Sequence, residues 1–206
     1  MTQKSIIFDF DGTLVDSNHI KNDAFYEVVS EYKDACLHLQ RILSKPHGDR
    51  YDVFRGLAVA LNQTEQWGME KAYRYTQRCE RLVCEAPEIP GASDSLVRLS
   101  KSGYSMHINS ATPEHTLVKI IAKRGWTHYF ATVLGAPSSK EDNLRRVISK
   151  FDLNPDYIVM VGDGDNDRQA AATLNIDFIG IATPRENFTK PIEKWSVDLK
   201  GIEHLL

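Results

Sequence analysis

Short apolar runs recur along the chain at Ser5–Phe10, Tyr104–Asn109, Phe130–Leu134, Tyr157–Val161 and Ile176–Ile181. Each is too short for a helix and bounded by turn-forming or polar residues, so each predicts a strand. Between most of them the apolar spacing changes to that of a helix face. Ser93–Ser102 carries Leu96, Val97 and Leu99, and Glu114–Arg124 carries Leu117, Val118, Ile120 and Ile121. Lys140–Phe151 repeats Leu144, Val147, Ile148 and Phe151 near i, i+3, i+4, i+7. Strand alternating with helix predicts an α/β fold on a mainly parallel sheet.

One interval breaks this rhythm. From about Val15 to Glu88 no run reads as a strand, while Ile20, Ala24 and Val28, then Leu37 and Ile42, then Leu57 and Leu61 suggest several helices. The stretch EAPEIPGAS, Glu85–Ser93, ends the interval with two prolines and a glycine and reads as a return linker. The expected organisation is a core domain from residues 1–14 and 89–206 and a small α-helical domain from 15–88. No internal repeat or low-complexity segment appears.

The 206 residues suffice for one large domain, or for a core with a small insert. Hydrophobic residues at 42% and charged residues at 26% describe an ordinary soluble chain. A formal net charge of −3 gives no electrostatic footprint for nucleic acid or an anionic membrane, so a small charged metabolite is the better partner. No apolar run approaches the roughly 20 residues of a membrane span. The N-terminus runs straight into strand-like sequence without a signal-peptide pattern, so a cytoplasmic location is expected. Cys36, Cys79 and Cys84 lack zinc-knuckle spacing and read as buried or incidental thiols.

The chemistry gathers where the strands end. SIIFDFDGTLVDS, Ser5–Ser17, sets Asp9 and Asp11 one residue apart. Strand alternation would put both on one face at the C-terminal end, where two like charges repel without structural gain. In open α/β sheets ligands bind at those ends. Ser110 follows the second strand, Asp163 follows the fourth in GDGDND, and Lys140 precedes a helix. Alone, Ser110 reads equally as a helix cap and Lys140 as a solvated lysine. Their coincidence at one sheet edge favours a shared site. A calcium loop starting at Asp163 fails, because its sixth and twelfth positions are Arg168 and Leu174 rather than Gly and Glu. A P-loop string is absent.

Phosphoryl transfer does need this set. Magnesium prefers carboxylate oxygens and bridges to phosphate, and Asp9 and Asp163 can supply those oxygens. A carboxylate nucleophile divides the reaction through an aspartyl-phosphate, and a second carboxylate can protonate the leaving oxygen and then activate water.

These motifs resemble those of the haloacid dehalogenase superfamily, in the phosphoglycolate phosphatase-like and β-phosphoglucomutase-like group with a helical cap after the first motif. DFDGTLVDS, INSATP, GAPSSKEDNL and VGDGDNDRQAA match its four signatures in order, on both sides of the insert. The resemblance implies a Rossmann-like three-layer core with a helical cap. It also implies Asp9 as nucleophile, Asp11 as general acid/base and Ser110 as hydrogen-bond donor to a phosphate oxygen, with the backbone amide of Ala111 beside it. Lys140 would steady nucleophile and phosphate. Magnesium would be bound by Asp9, Asp163 and the main-chain carbonyl of Asp11, with Asp167 orienting its shell. Asp165 adds a carboxylate where many relatives have an uncharged residue, and reads as a helix cap.

In the insert, SKPHGDRYDVFRGL holds Lys45, His47, Arg50 and Arg55. This is either a solvated helix connection or a loop that reads the non-phosphate part of a substrate. The resemblance implies the second for His47, Arg50 and Arg55, since caps select substrates in this family. The expected activity is a magnesium-dependent phosphatase acting on a small phosphorylated metabolite. A phosphosugar mutase remains the alternative, because it uses the same two aspartates, and a non-catalytic binding protein on the same scaffold is the third reading.

Overall fold

The computed structural model describes residues 4–45, 48–181 and 188–206. The chain divides into two compact units, Met1–Asp16 with Ala86–Leu206, and Ser17–Glu85. The smaller unit is helical among its described residues: α1 (Asn18–Glu27), α2 (Ala35–Leu43), α3 (Arg50–Ala60) and α4 (Glu65–Glu85). Asp49 caps α3 reciprocally with Asp52, satisfying two of the orphan amides that open a helix. Phe25, Phe54 and Tyr75 join α1, α3 and α4, with Phe25 stacked on Tyr75 at 4.1 Å between ring centroids. Lys71 is buried here, paired with Glu31 at 3.0 Å and lying over the Tyr32 ring.

The larger unit is built on β1 (Ser5–Phe8), β2 (Ser105–Pro113), β3 (Phe130–Ala136), β4 (Ile158–Gly162), β5 (Asp177–Ile181) and β6 (Lys194–Ser196). The order is β3-β2-β1-β4-β5-β6, and each neighbouring pair is parallel. The remaining helices are α5 (Ala92–Lys101), α6 (Glu114–Lys123), α7 (Lys140–Phe151) and α8 (Asp165–Thr173). Connections β2–α6–β3 and β3–α7–β4 run in opposite directions across the sheet. Right-handed crossovers therefore put α6 and α7 on opposite faces and α8 on the face of α7. The result is a three-layer α/β core. Ile7, Met160 and Ile158 meet Leu144 and Val147 of α7 and Ala170 and Ala171 of α8 on one face. Sandwiched between two helical layers, β1 is buried at every position, as its unbroken apolar run SIIF requires.

The strands depart from the sequence pattern in several places. β1 ends at Phe8 rather than Phe10, because the chain turns from Phe10 on. β2 continues through Pro113 rather than ending at Asn109. β6 has only three half-buried residues at the sheet edge, too short for any periodicity to reveal. Buried in β2 is His107, whose Nδ1 lies 2.9 Å from Thr132 Oγ1 and whose Nε2 lies 3.2 Å from Ser105 Oγ. No helix among the described residues is long and apolar enough to cross a membrane.

Candidate active site

Strand order reverses around β1: the chain first adds β2 and β3 on one side, then β4 and β5 on the other. That switch point opens a crevice at the strands' C-terminal ends. Asp9 sits there, its backbone amide still paired with the Val161 carbonyl of β4 at 2.8 Å. The turn that follows uses Gly12 at φ 79°, a left-handed conformation that glycine adopts without a Cβ clash. Asp9 thus continues the ladder beside β4, while Asp11 stands on the turn beyond it. They go different ways. Asp9 meets Lys140 and the β4 side, while Asp11 meets the hydroxyls of β2.

Lys140 opens α7, whose cap is Ser139 accepting the Asp142 amide at 3.0 Å. Its ammonium lies 2.9 Å from Asp9 Oδ1 and 2.5 Å from Asp167 Oδ1, with only 10% of the side chain exposed. A solvated lysine is therefore excluded. Two buried amides anchor its backbone: Asn109 Nδ2 donates to the Lys140 carbonyl at 2.8 Å, and Asn143 Nδ2 donates to Asn109 Oδ1 at 3.2 Å. Burial alone would lower the Lys140 pKa. The charges of Asp9 and Asp167 outweigh that and hold it above the ordinary lysine value, so the group stays cationic.

Asp163 and Asp167 come from the end of β4 and the first turn of α8. Asp167 is fully buried, and its Oδ2 accepts the Gly164 amide at 3.2 Å. Gly162 makes room for it: a Cβ there would stand 2.5 Å from the Asp167 Cβ and Cγ. Burial first, and then the Asp9 charge, push the Asp167 carboxyl above the ordinary range, with Lys140 opposing. Thr13 Oγ1 donates to Asp163 Oδ1 at 3.4 Å. Carboxylate oxygens of Asp9, Asp163 and Asp167 all lie within 4.8 Å of one another. Three hard, anionic oxygens at this spacing suit a magnesium ion. The side chain of Asp11 is not in this cluster.

Ser110 lies inside β2, 1% exposed, and the cap position of α6 is Pro113. The helix-cap reading of Ser110 is therefore wrong: the strand runs on past it. Its Oγ is 3.4 Å from Asp11 Oδ2, and Thr112 Oγ1 reaches the same oxygen at 2.7 Å. Ala111, between them, is exposed on the opposite side of the strand. Asp165 is the first residue of α8 rather than its cap, which is Gly164. Its carboxylate is occupied by Arg168 at 2.7 Å and Thr189 at 2.6 Å, and these donors hold its pKa well below the usual range, Arg168 contributing most.

The helical unit holds the other expected residues. Arg50 starts α3 and donates to Thr76 Oγ1 at 3.3 Å. Arg55 pairs with Asp52 at 3.0 Å. His47 lies outside the described residues. Sequence reasoning passed over Thr13, Thr112, Asn109 and Asn143. Thr112 had a signal, since it stands two residues beyond Ser110 and would share its face if the strand continued.

The whole chain has relatives among known proteins. The chain is 28% identical over 197 residues to a phosphoglycolate phosphatase from Psychrobacter arcticus, covering 88% of this chain and 84% of the relative. It is 25% identical over 190 residues to pyrophosphatase PpaX from Bacillus velezensis, covering 88% and 86%. The crystal structure of a predicted phosphoglycolate phosphatase from Haemophilus somnus shares the fold, with a TM-score of 0.78, 19% identity, and coverage of 99% and 98%. The model of the haloacid dehalogenase-like hydrolase family matches residues 6–181, a span that takes in every motif around the crevice, and the chain belongs to that family of enzymes.

Proposed function

We propose that the protein is a magnesium-dependent phosphatase that hydrolyses a small phosphate monoester through an aspartyl-phosphate on Asp9. One observation carries this reading: the two aspartates of the first motif sit in separate environments. Asp9 lies against Lys140 and beside the Asp163 and Asp167 carboxylates, while Asp11 is held by β2 hydroxyls. That is the division of labour expected of a nucleophile and a proton carrier.

In this mechanism an Asp9 oxygen attacks phosphorus and the ester P–O bond breaks. Asp11, protonated, gives its proton to the leaving oxygen. The resulting Asp11 carboxylate then takes a proton from water as that water attacks the phosphoenzyme, releasing phosphate and restoring Asp9. Lys140, 2.9 Å from Asp9 Oδ1, steadies the nucleophile and offsets the negative charge of the phosphoryl oxygens. Ser110 Oγ and the Ala111 amide donate to those oxygens. Asp9, Asp163, Asp167 and the Asp11 main-chain carbonyl would hold magnesium, which when bound neutralises phosphate charge.

The names of the relatives, a phosphoglycolate phosphatase and a pyrophosphatase, favour a small, strongly anionic substrate. His47, Arg50 and Arg55 of the helical unit are the groups proposed to read its non-phosphate part. The test is phosphate release from a panel of phosphate esters and pyrophosphate, with magnesium, by wild type and Asp9→Asn. Turnover of at least one small ester that disappears in Asp9→Asn is expected. An Asp9→Asn variant that kept most of the activity would remove the nucleophile. Transfer of the phosphoryl group to bound product rather than to water would replace the phosphatase with a mutase.

A further inference from the structure

We infer that Thr112 is a positioning residue for Asp11, fixing which way the proton-carrying carboxylate points. The inference rests on the acid/base role proposed above for Asp11. A carboxylate at the end of a broad sp³–sp² torsion has little orientation of its own. Asp11 stands on a turn, beyond the hydrogen-bonded part of β1, so the pleat does not aim it either. Proton transfer nonetheless demands that one oxygen sit within about 2.6–3.2 Å of its target. Something else must hold the group.

Thr112 has the required properties. Its hydroxyl donates to Asp11 Oδ2 at 2.7 Å, a well-formed O–H···O bond, and the residue is only 6% exposed. Being β-branched on a strand, it has few χ1 choices, so the β2 backbone dictates where Oγ1 lies. That backbone is itself clamped. The Thr112 carbonyl crosses so close to Gly135 of β3 that a Cβ at Gly135 would overlap it, and the β2–β3 register shifts between Asn109 and Pro113.

Ser110 is the rival for this task, and the distances separate the two. Its Oγ is 3.4 Å from the same Asp11 oxygen and accepts the Thr112 amide at 3.1 Å. Alternate residues of one strand edge thus carry two hydroxyls with different duties. Thr112 grips Asp11, which leaves the Ser110 hydroxyl to turn toward a phosphoryl oxygen.

The test compares kcat/KM for phosphoglycolate, an alkyl ester whose leaving oxygen must be protonated, with that for p-nitrophenyl phosphate, whose leaving group needs no proton. Thr112→Val keeps the branched shape and removes only the hydroxyl. It should lower kcat/KM for the alkyl ester about ten- to hundredfold and for the aryl ester less than about threefold. Thr112→Ser should restore most of the loss. In an Asp11→Asn background, where no proton is carried, Thr112→Val should cost nothing further. Equal losses on both esters, no loss on either, or an undiminished loss in the Asp11→Asn background would overturn the inference. Thr112→Ala carries the same comparison if Thr112→Val melts near the assay temperature. Asp9→Asn run in parallel keeps the two readings apart. Full activity in that variant, or a wild type inactive on both esters and on every other member of the phosphate panel, would overturn the phosphatase reading itself and the inference with it.

Discussion

Acidification should weaken this fold through one buried imidazole. His107 is fully buried in β2 between two hydroxyls, at 2.9 Å from Thr132 Oγ1 and 3.2 Å from Ser105 Oγ. A neutral imidazole offers one donor and one acceptor, and two hydroxyls can satisfy both without charge. Burial, and secondarily the nearby Lys150 ammonium, depress its pKa from 6.5 to about 4. The Phe151 ring, 5.0 Å away, offers no counter-charge. Because the folded pKa is below the unfolded one, the unfolded chain binds the proton first. Stability from this group is complete above about pH 6.5 and is lost as pH falls toward 4. A difference of about 2.5 units corresponds to about 3 kcal/mol in all, of which about 2 kcal/mol is lost between pH 7.5 and pH 5. His107→Gln does not titrate in this range, so its stability should fall by about 2 kcal/mol less over the same interval. Urea unfolding of both proteins at the two pH values measures that double difference, and other titrating groups cancel in it. Parallel losses in wild type and variant would refute the reasoning.

Chemistry supplies the other tests. Asp11→Asn should slow turnover of alkyl phosphates by about 10²–10⁴-fold, yet still form phosphoenzyme from an aryl phosphate, seen as a burst of phenolate and a slowly decaying acid-stable label. Magnesium should raise the melting temperature of wild type, and Asp163→Ala should abolish that shift and the activity together; full activity in excess chelator would sink the metal assignment. Ser110→Ala should lose roughly 10²–10³ in kcat, as expected for one preorganised donor to a transferring group, besides about 1–3 kcal/mol of stability because the Thr112 amide loses its acceptor. Arg50→Ala should cost about ten- to a hundredfold in kcat/KM on the preferred substrate and little on a small generic ester, whereas equal losses on both would return Arg50 to a structural role.

Much of this protein was legible before any tertiary structure. A parallel sheet brings all its strand C-termini to one edge, so residues written just after apolar runs must gather there whatever the details of packing. Asp9, Lys140 and the Asp163–Asp167 pair come from three distant stretches of the chain, and this rule brings the three stretches near one another. The helical stretch between Val15 and Glu88 was equally plain, because an α-helical pattern and a strand pattern differ in period over so long an interval. Where local pattern was weak, the reading slipped. Pro113 and Glu114 look like a helix start, so β2 appeared to end before Ser110, and three edge residues at Lys194–Ser196 carry no period at all.

What the tertiary structure decided is which partner each carboxylate faces. Asp9, still paired with β4, meets Lys140, while Asp11, on the turn through Gly12, meets the Thr112 hydroxyl. Thr112, 101 positions from Asp11 in the chain, reaches it only because β2 lies beside β1 in one particular register. The burial that keeps His107 neutral and the paired carboxylates that keep Lys140 cationic likewise belong to the assembled core. Element type follows from local periodicity, which the chain carries in itself. Orientation and charge state follow from long-range neighbours, and those exist only once the sheet has closed around them.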